Sequence, residues 1–276
     1  MKKNYLYLTL IAFAAFSLTS CDDDEKVPEQ ETGIVGTWEG DADEYHYPVV
    51  TFNADGTYEW EWAGIHKMKD TGKYTYEEGK RIVMNPSKYY EYDDEKGKYV
   101  TGDPGYTGDR NCRIIEINPG MMRVNLNDYF MGGGQGEGFD FTLYRKGFVQ
   151  DIKTKDLEGT WESYESDGSL STRIVISGSN YTAYDVWTVQ DTILCAEKST
   201  GTWSVKNSVM TVKPSEVFFS YERVNNVDVY SVVDPETLEA ETWTKAEWSP
   251  EEYSKKVYLS DDKKTLYAGD VKFTKK

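Results

Sequence analysis

A short block occurs twice in this chain. Gly36-Thr37-Trp38-Glu39 returns as Gly159-Thr160-Trp161-Glu162, each with an apolar residue two positions earlier, Ile34 and Leu157. Three more matches follow in the same order. Gly72-Lys73-Tyr74 aligns with Gly201-Thr202-Trp203. Ile82–Ser87 aligns with Val209–Ser215 apart from a one-residue shift. Phe141–Lys146 resembles the closing Val271–Lys276. Four matches in one order indicate a tandem duplication. The expected boundaries are a first unit over 33–146, a linker over 147–155, and a second unit over 156–276. Whatever the fold, the chain has to build it twice.

Within each unit the apolar period is mostly two. Val50 and Phe52 lead into the turn Asn53-Ala54-Asp55-Gly56, and Tyr58, Trp60 and Trp62 alternate after it, which is a hairpin signature. Further short strands are expected around Ile82, Cys112–Ile117 and Met122–Leu126. In the second unit they fall at Arg173–Ile176, Asn180–Trp187, Gly201–Val205, Val209–Val212, Val227–Val232 and Thr265–Phe273. Ser249-Pro250-Glu251-Glu252 offers at most one capped helical turn. The 22 Tyr and 8 Trp favour strands as well. The expected fold class is all-β, with two tandem small antiparallel meander β-barrels.

An early Gly-x-Trp, a meander of hairpins and a basic residue ending the last strand resemble lipocalins and their small bacterial relatives. The resemblance implies that the tryptophan closes one end of each barrel under a cation from the final strand. Trp38 would pair with Arg145, and Trp161 with Lys275 or Lys272. A cation over an indole face is attracted to the ring quadrupole, and its stem shields apolar surface. The second unit departs from the pattern in offering Lys for Arg.

The N-terminus sets location. Lys2 and Lys3 precede a short apolar run that ends in Leu18-Thr19-Ser20-Cys21, the layout of a bacterial lipoprotein signal. The 13 residues from Tyr5 to Ser17 are too few to span a bilayer, which takes roughly 20. Residues 1–20 are therefore expected to be removed and Cys21 acylated. Residues 21–32 would form a flexible acidic tether, which includes Asp22-Asp23-Asp24-Glu25. This run resembles export signals of surface lipoproteins, so the expected place is the outer membrane of a Gram-negative bacterium, facing the cell surface. The formal net charge is −17. That sign argues against nucleic acid, whose phosphates are met by Lys and Arg, and against electrostatic membrane attachment. The membrane is met through the lipid. Cys112 and Cys195 are expected to be two buried thiols.

Chemistry is less legible. His46 and His66, with Glu61, allow a metal site, but their spacing matches no ligand motif, and exposed loop histidines are the simpler reading. No metal or cofactor is expected. The acidic loops Asp93-Asp94-Glu95 and Gly102–Asp109 match no calcium spacing. Met131–Gly138 lacks the Lys-Ser/Thr of a phosphate loop and reads as a hairpin tip. No nucleophile motif is present. The remaining clue is aromatic. Tyr58, Trp60 and Trp62 share one strand face, Tyr89, Tyr90 and Tyr92 crowd another stretch, and Tyr184 and Trp187 belong to the second unit. Such side chains wall a cavity for a small hydrophobic ligand or make a platform for a glycan; otherwise they are barrel core. The expected function is a non-catalytic binding module, with a glycan-binding or protein-interaction module as alternatives and a hydrolase using acidic residues as the competing class.

Overall fold

The computed structural model describes residues 33–41, 46–64, 67–102, 109–127, 139–189, 192–225, 227–248 and 250–276. The lipidation motif, Cys21 and the tether lie outside them, as do His66 and the whole glycine-rich stretch Met131–Gly138. The described chain is two closed eight-stranded antiparallel barrels in sequence order.

The first barrel runs β1 (Gly36–Glu39), β2 (His46–Phe52), β3 (Thr57–Gly64), β4 (Met68–Glu77), β5 (Arg81–Asp93), β7 (Arg110–Ile117), β8 (Met121–Asn127) and β9 (Phe139–Arg145), with β9 returning to β1. A ninth strand, β6 (Lys98–Thr101), lies on the far half of β5. The second barrel repeats this plan with β10 (Gly159–Tyr164), β11 (Leu170–Ser177), β12 (Asn180–Val189), β13 (Thr192–Lys206), β14 (Val209–Phe219), β18 (Tyr253–Leu259), β19 (Thr265–Ala268) and β20 (Val271–Lys275). Here too an extra strand, β17 (Thr244–Lys245), sits on the far end of the fifth. Between β14 and β17 lies a separate hairpin, β15 (Tyr221–Val224) with β16 (Val227–Tyr230).

The duplication extends to the irregularities. The fourth strand of each barrel carries a register shift, at Thr71/Gly72 and at Thr200/Gly201. The facing strand puts Pro86-Ser87 or Pro214-Ser215 there. Each serine donates its hydroxyl to the carbonyl across the shift, Ser87 to Thr71 at 3.1 Å and Ser215 to Thr200 at 2.9 Å. Only glycine fits: a Cβ on Gly72 would lie 2.0 Å from the Asn85 oxygen, and one on Gly201 2.2 Å from the Lys213 oxygen. With these points matched, Ile82 corresponds to Met210, and the one-residue shift in the sequence alignment disappears.

Two strand expectations and one helical one are corrected. Thr265–Phe273 is two strands, because the chain reverses at Gly269-Asp270. Val227–Val232 contributes to the separate hairpin and not to the barrel wall. Residues 250–252 are irregular; the one helix among the described residues is α1 (Thr154–Leu157).

Each barrel has its own core. The stretch between them is fastened to the second. Gln150 donates to the Leu259 carbonyl at 2.6 Å and accepts from the Leu259 N–H at 2.8 Å, and Ile152 and Leu157 join the second core. The barrels also touch through their outer walls. Met121 and Tyr144 pack with Tyr258 and Tyr267. Tyr144 donates to the Gly269 carbonyl at 2.7 Å, the Thr142 N–H to Asp270 at 2.7 Å, Lys256 to Glu39 at 2.8 Å, and Tyr267 to Glu116. Burial pushes the Asp270 carboxyl and the Tyr144 phenol upward.

Candidate functional site

Both barrels are stoppered alike. Trp38 and Trp161 are fully buried, and each indole N–H donates over 2.7 Å to the carbonyl four residues earlier, Ile34 or Leu157. The Arg145 guanidinium lies 4.4 Å from the Trp38 ring, and the Lys275 ammonium 5.0 Å from that of Trp161. Lys272, the alternative partner, sits over Tyr267 instead. Arg145 donates to the carbonyls of Pro119, Val35 and Gly33; Lys275 donates to that of Asp156, the equivalent of Gly33. Gly36 and Gly159 leave room for the cations: at φ +128° and +119°, a Cβ on either would press within 3.2 Å of them. A tryptophan so enclosed is structural, and a ligand has to use the other end.

Cross-strand partners trace the interior. In the first barrel one row runs Trp38, Val50, Trp60, Asp70, Tyr89, and strand tilt carries it upward from the base. The next row is Pro48, Trp62, Met68, Glu91. Tyr58, Trp60 and Trp62 therefore share the inner wall, as their spacing implied. Trp60 and Trp62 have ring centroids 5.7 Å apart, and Phe141 stands 5.6 Å from Trp62. Both indole N–H groups are buried and have no hydrogen-bond partner among the described residues. Among them is a charge pair that the sequence reading missed. Asp70 accepts from the Tyr58 hydroxyl at 2.5 Å and from Arg110, which comes from β7. Asp70 and Arg110 are 2% and 5% exposed. Tyr89 lies beside them, its phenol pushed up by burial and by Glu91. Tyr90 and Tyr92 face outward, under Lys69 and Lys67.

The second barrel fills the same rows differently. Trp161, Ile174, Ala183, Ser199 and Val217 match the first row, and Thr172, Asp185, Glu197 and Phe219 match the second. Ala183 stands for Trp60 and Ser199 for Asp70. Here too one interior indole N–H, that of Trp203, is buried without a partner.

Tyr184 and Trp187 are not a joint site. They are three positions apart on one strand and so point to opposite faces. Tyr184 is on the outer face and donates to Glu239 at 2.6 Å; Glu239 also takes Lys198 and the Trp243 indole N–H. This cluster clamps the chain after β16 onto the barrel wall, with Val233 and Leu238 packed beneath it. Trp187 is half-exposed.

Cys112 and Cys195 are buried and outside any disulfide among the described residues, and burial raises the Cys195 thiol. Glu61, a candidate metal ligand, accepts from Tyr99 at 2.6 Å; the His46 side chain and His66 lie outside the described residues. Among the described residues no three His, Cys, Asp or Glu side chains are gathered for a metal. No protein-family model and no curated protein matches the sequence.

Proposed function

We propose that this chain is a lipid-anchored envelope protein, lipocalin-like in both halves, that holds a small, largely apolar molecule inside its first barrel. The acyl anchor on Cys21, the outer membrane and the surface-facing orientation belong to this reading. The observation that carries it is the pair of buried, partnerless indole N–H groups on Trp60 and Trp62. A buried donor left unpaired costs about 1–3 kcal/mol, so it is kept where something fills the need. The ligand that fits has flat apolar faces for Trp62 and Phe141 and an oxygen acceptor for the indoles. Asp70 already neutralises Arg110, so the ligand needs no charge. The role is non-catalytic: these groups bind and orient.

The test is native mass spectrometry of the protein purified from its own host. A small molecule that leaves with the wild type and is missing from W60F/W62F supports the reading. Recovery of that molecule with the double variant and wild type alike overturns it, as does a wild-type protein that carries nothing.

A protein-interaction role is the second reading, favoured by one observation. Val227, Val229, Tyr230 and Val232 are exposed on and beside the edge strand β16, next to an apolar groove of about 590 Å³ lined by Val189, Ile193 and Leu194. A glycan platform has less support, because Tyr58, Trp60 and Trp62 are turned inward.

A further inference from the structure

The mouth of the second barrel holds two acids that no cation among the described residues neutralises. Asp185 on β12 and Glu197 on β13 are direct cross-strand partners and face the interior, on the same face as Tyr181 and Ala183. Like charges so placed repel. Asp185 accepts from Thr172 at 2.7 Å. Asp185 is exposed at the rim and Glu197 partly buried; loss of hydration raises both carboxyls, Asp185 adds to the rise of Glu197, and no lysine or arginine among the described residues acts on either. Other acids of this half have cations: Glu162 has Arg173 and Lys276, and Glu239 has Lys198.

The other groups facing the two acids are neutral. Tyr253 on β18 is half-exposed; burial, then Tyr181, Asp185 and Glu197, push its phenol up to about 12. Tyr221 on β15 feels Glu197 and the Cys195 thiol. Tyr181 is 7% exposed, and its buried hydroxyl, near Ser199, makes no hydrogen bond among the described residues. This buried donor and the two acids make one cup.

The first barrel shows what completes such a cup. Its interior acid, Asp70, is held by Arg110, which stands opposite Met84. The equivalent of Met84 is Val212, and opposite Val212 stands Tyr253. Where one barrel supplies a cation, the other supplies a ring.

We propose that the mouth of the second barrel binds a small organic amine, its ammonium group between Asp185 and Glu197 and its body against Tyr181 and Tyr253. An ammonium supplies several donors to carboxylates and is attracted to tyrosine faces. A dehydrated calcium ion asks for six to eight oxygens, more than two carboxylates and neutral hydroxyls provide. This site is separate from the one proposed in the first barrel and stands without it.

The experiment is calorimetric titration of the full chain at pH 7.5 with phenethylamine, with phenylacetate as the anion of similar shape, and with calcium chloride. Saturable one-to-one binding of phenethylamine is expected, with none for phenylacetate. D185N/E197Q should weaken it by about tenfold or more, and Y181F by a smaller factor. Thermal unfolding of the double variant checks the fold, and its midpoint should not fall. The proposal is overturned if phenethylamine gives no saturable heat, if the folded double variant binds it as well as wild type, or if phenylacetate or calcium binds in its place.

Discussion

The two barrels share a frame and differ in what they enclose. Their bulges, their capping serines and their stoppers superpose residue by residue. Their interiors do not: the rows that hold Trp60, Asp70, Trp62 and Met68 in the first hold Ala183, Ser199, Asp185 and Glu197 in the second. A duplicated scaffold keeps the positions that define its backbone and leaves interior side chains to diverge. Divergence in polarity and charge at these rows is what two sites of different taste would show.

The sharpest way to break this comparison is at the acids. Asp70→Asn removes the buried carboxylate to which Arg110 donates. That change is expected to cost about 3–5 kcal/mol, read as a lower midpoint in urea unfolding. Adding Arg110→Met to D70N should recover part of the loss, because the buried charge is gone. Equal stability of D70N and wild type would show that the pair contributes nothing. Ser199→Ala, at the equivalent position, should shift the midpoint far less.

The stoppers offer a smaller contrast. Arg145 reaches three carbonyls and Lys275 reaches one. Arg145→Lys should therefore lose two hydrogen bonds and cost about 1–2 kcal/mol. The reciprocal Lys275→Arg keeps the contact with the Asp156 carbonyl and should change stability by less than about 1 kcal/mol. Differential scanning calorimetry of both single variants decides it. A loss in K275R as large as in R145K would mean that the two bases are not equivalent in energy.

How much of this was legible in the sequence depends on how local each feature is. The stopper was readable because Gly-x-Trp is short, repeated and tied to the end of each unit. Trp60 and Trp62 were readable because alternation puts them on one face whatever the register. Asp70 was not: an acid in a strand looks the same facing water or core, and its partner Arg110 is 40 residues away. The clue was present, since Asp70 has the parity of Gly72 and Tyr74. Asp185 and Glu197 were hidden for the same reason, with Tyr181 and Ala183 as the parity marker. Tyr184 and Trp187 failed because two aromatics three apart cannot share a strand face. The turn at Gly269 was lost because Thr265–Phe273 reads as one apolar run.

The smallest expected effect has an unusual sign. Asp185 and Glu197 both have folded pKa values above the ordinary range. A raised acid stabilises the fold while it is protonated, and that contribution disappears as pH rises through its folded value. Acidifying from pH 7 towards 5 should thus help the second barrel, before the paired acids elsewhere begin to lose their charge. Neutralising the pair by D185N/E197Q should give the same relief at pH 7. Repulsion between facing like charges is worth about 0.2–1 kcal/mol, and solvent at the rim holds it to the low end. Thermal midpoints of wild type and variant at pH 7 and pH 5 are the measurement: the variant should melt higher at pH 7, and the gap should narrow at pH 5. A variant that melts lower at pH 7 would mean that the acids are held by a partner after all. A variant that gains stability while losing the amine is the signature of charges kept for binding at the expense of the fold.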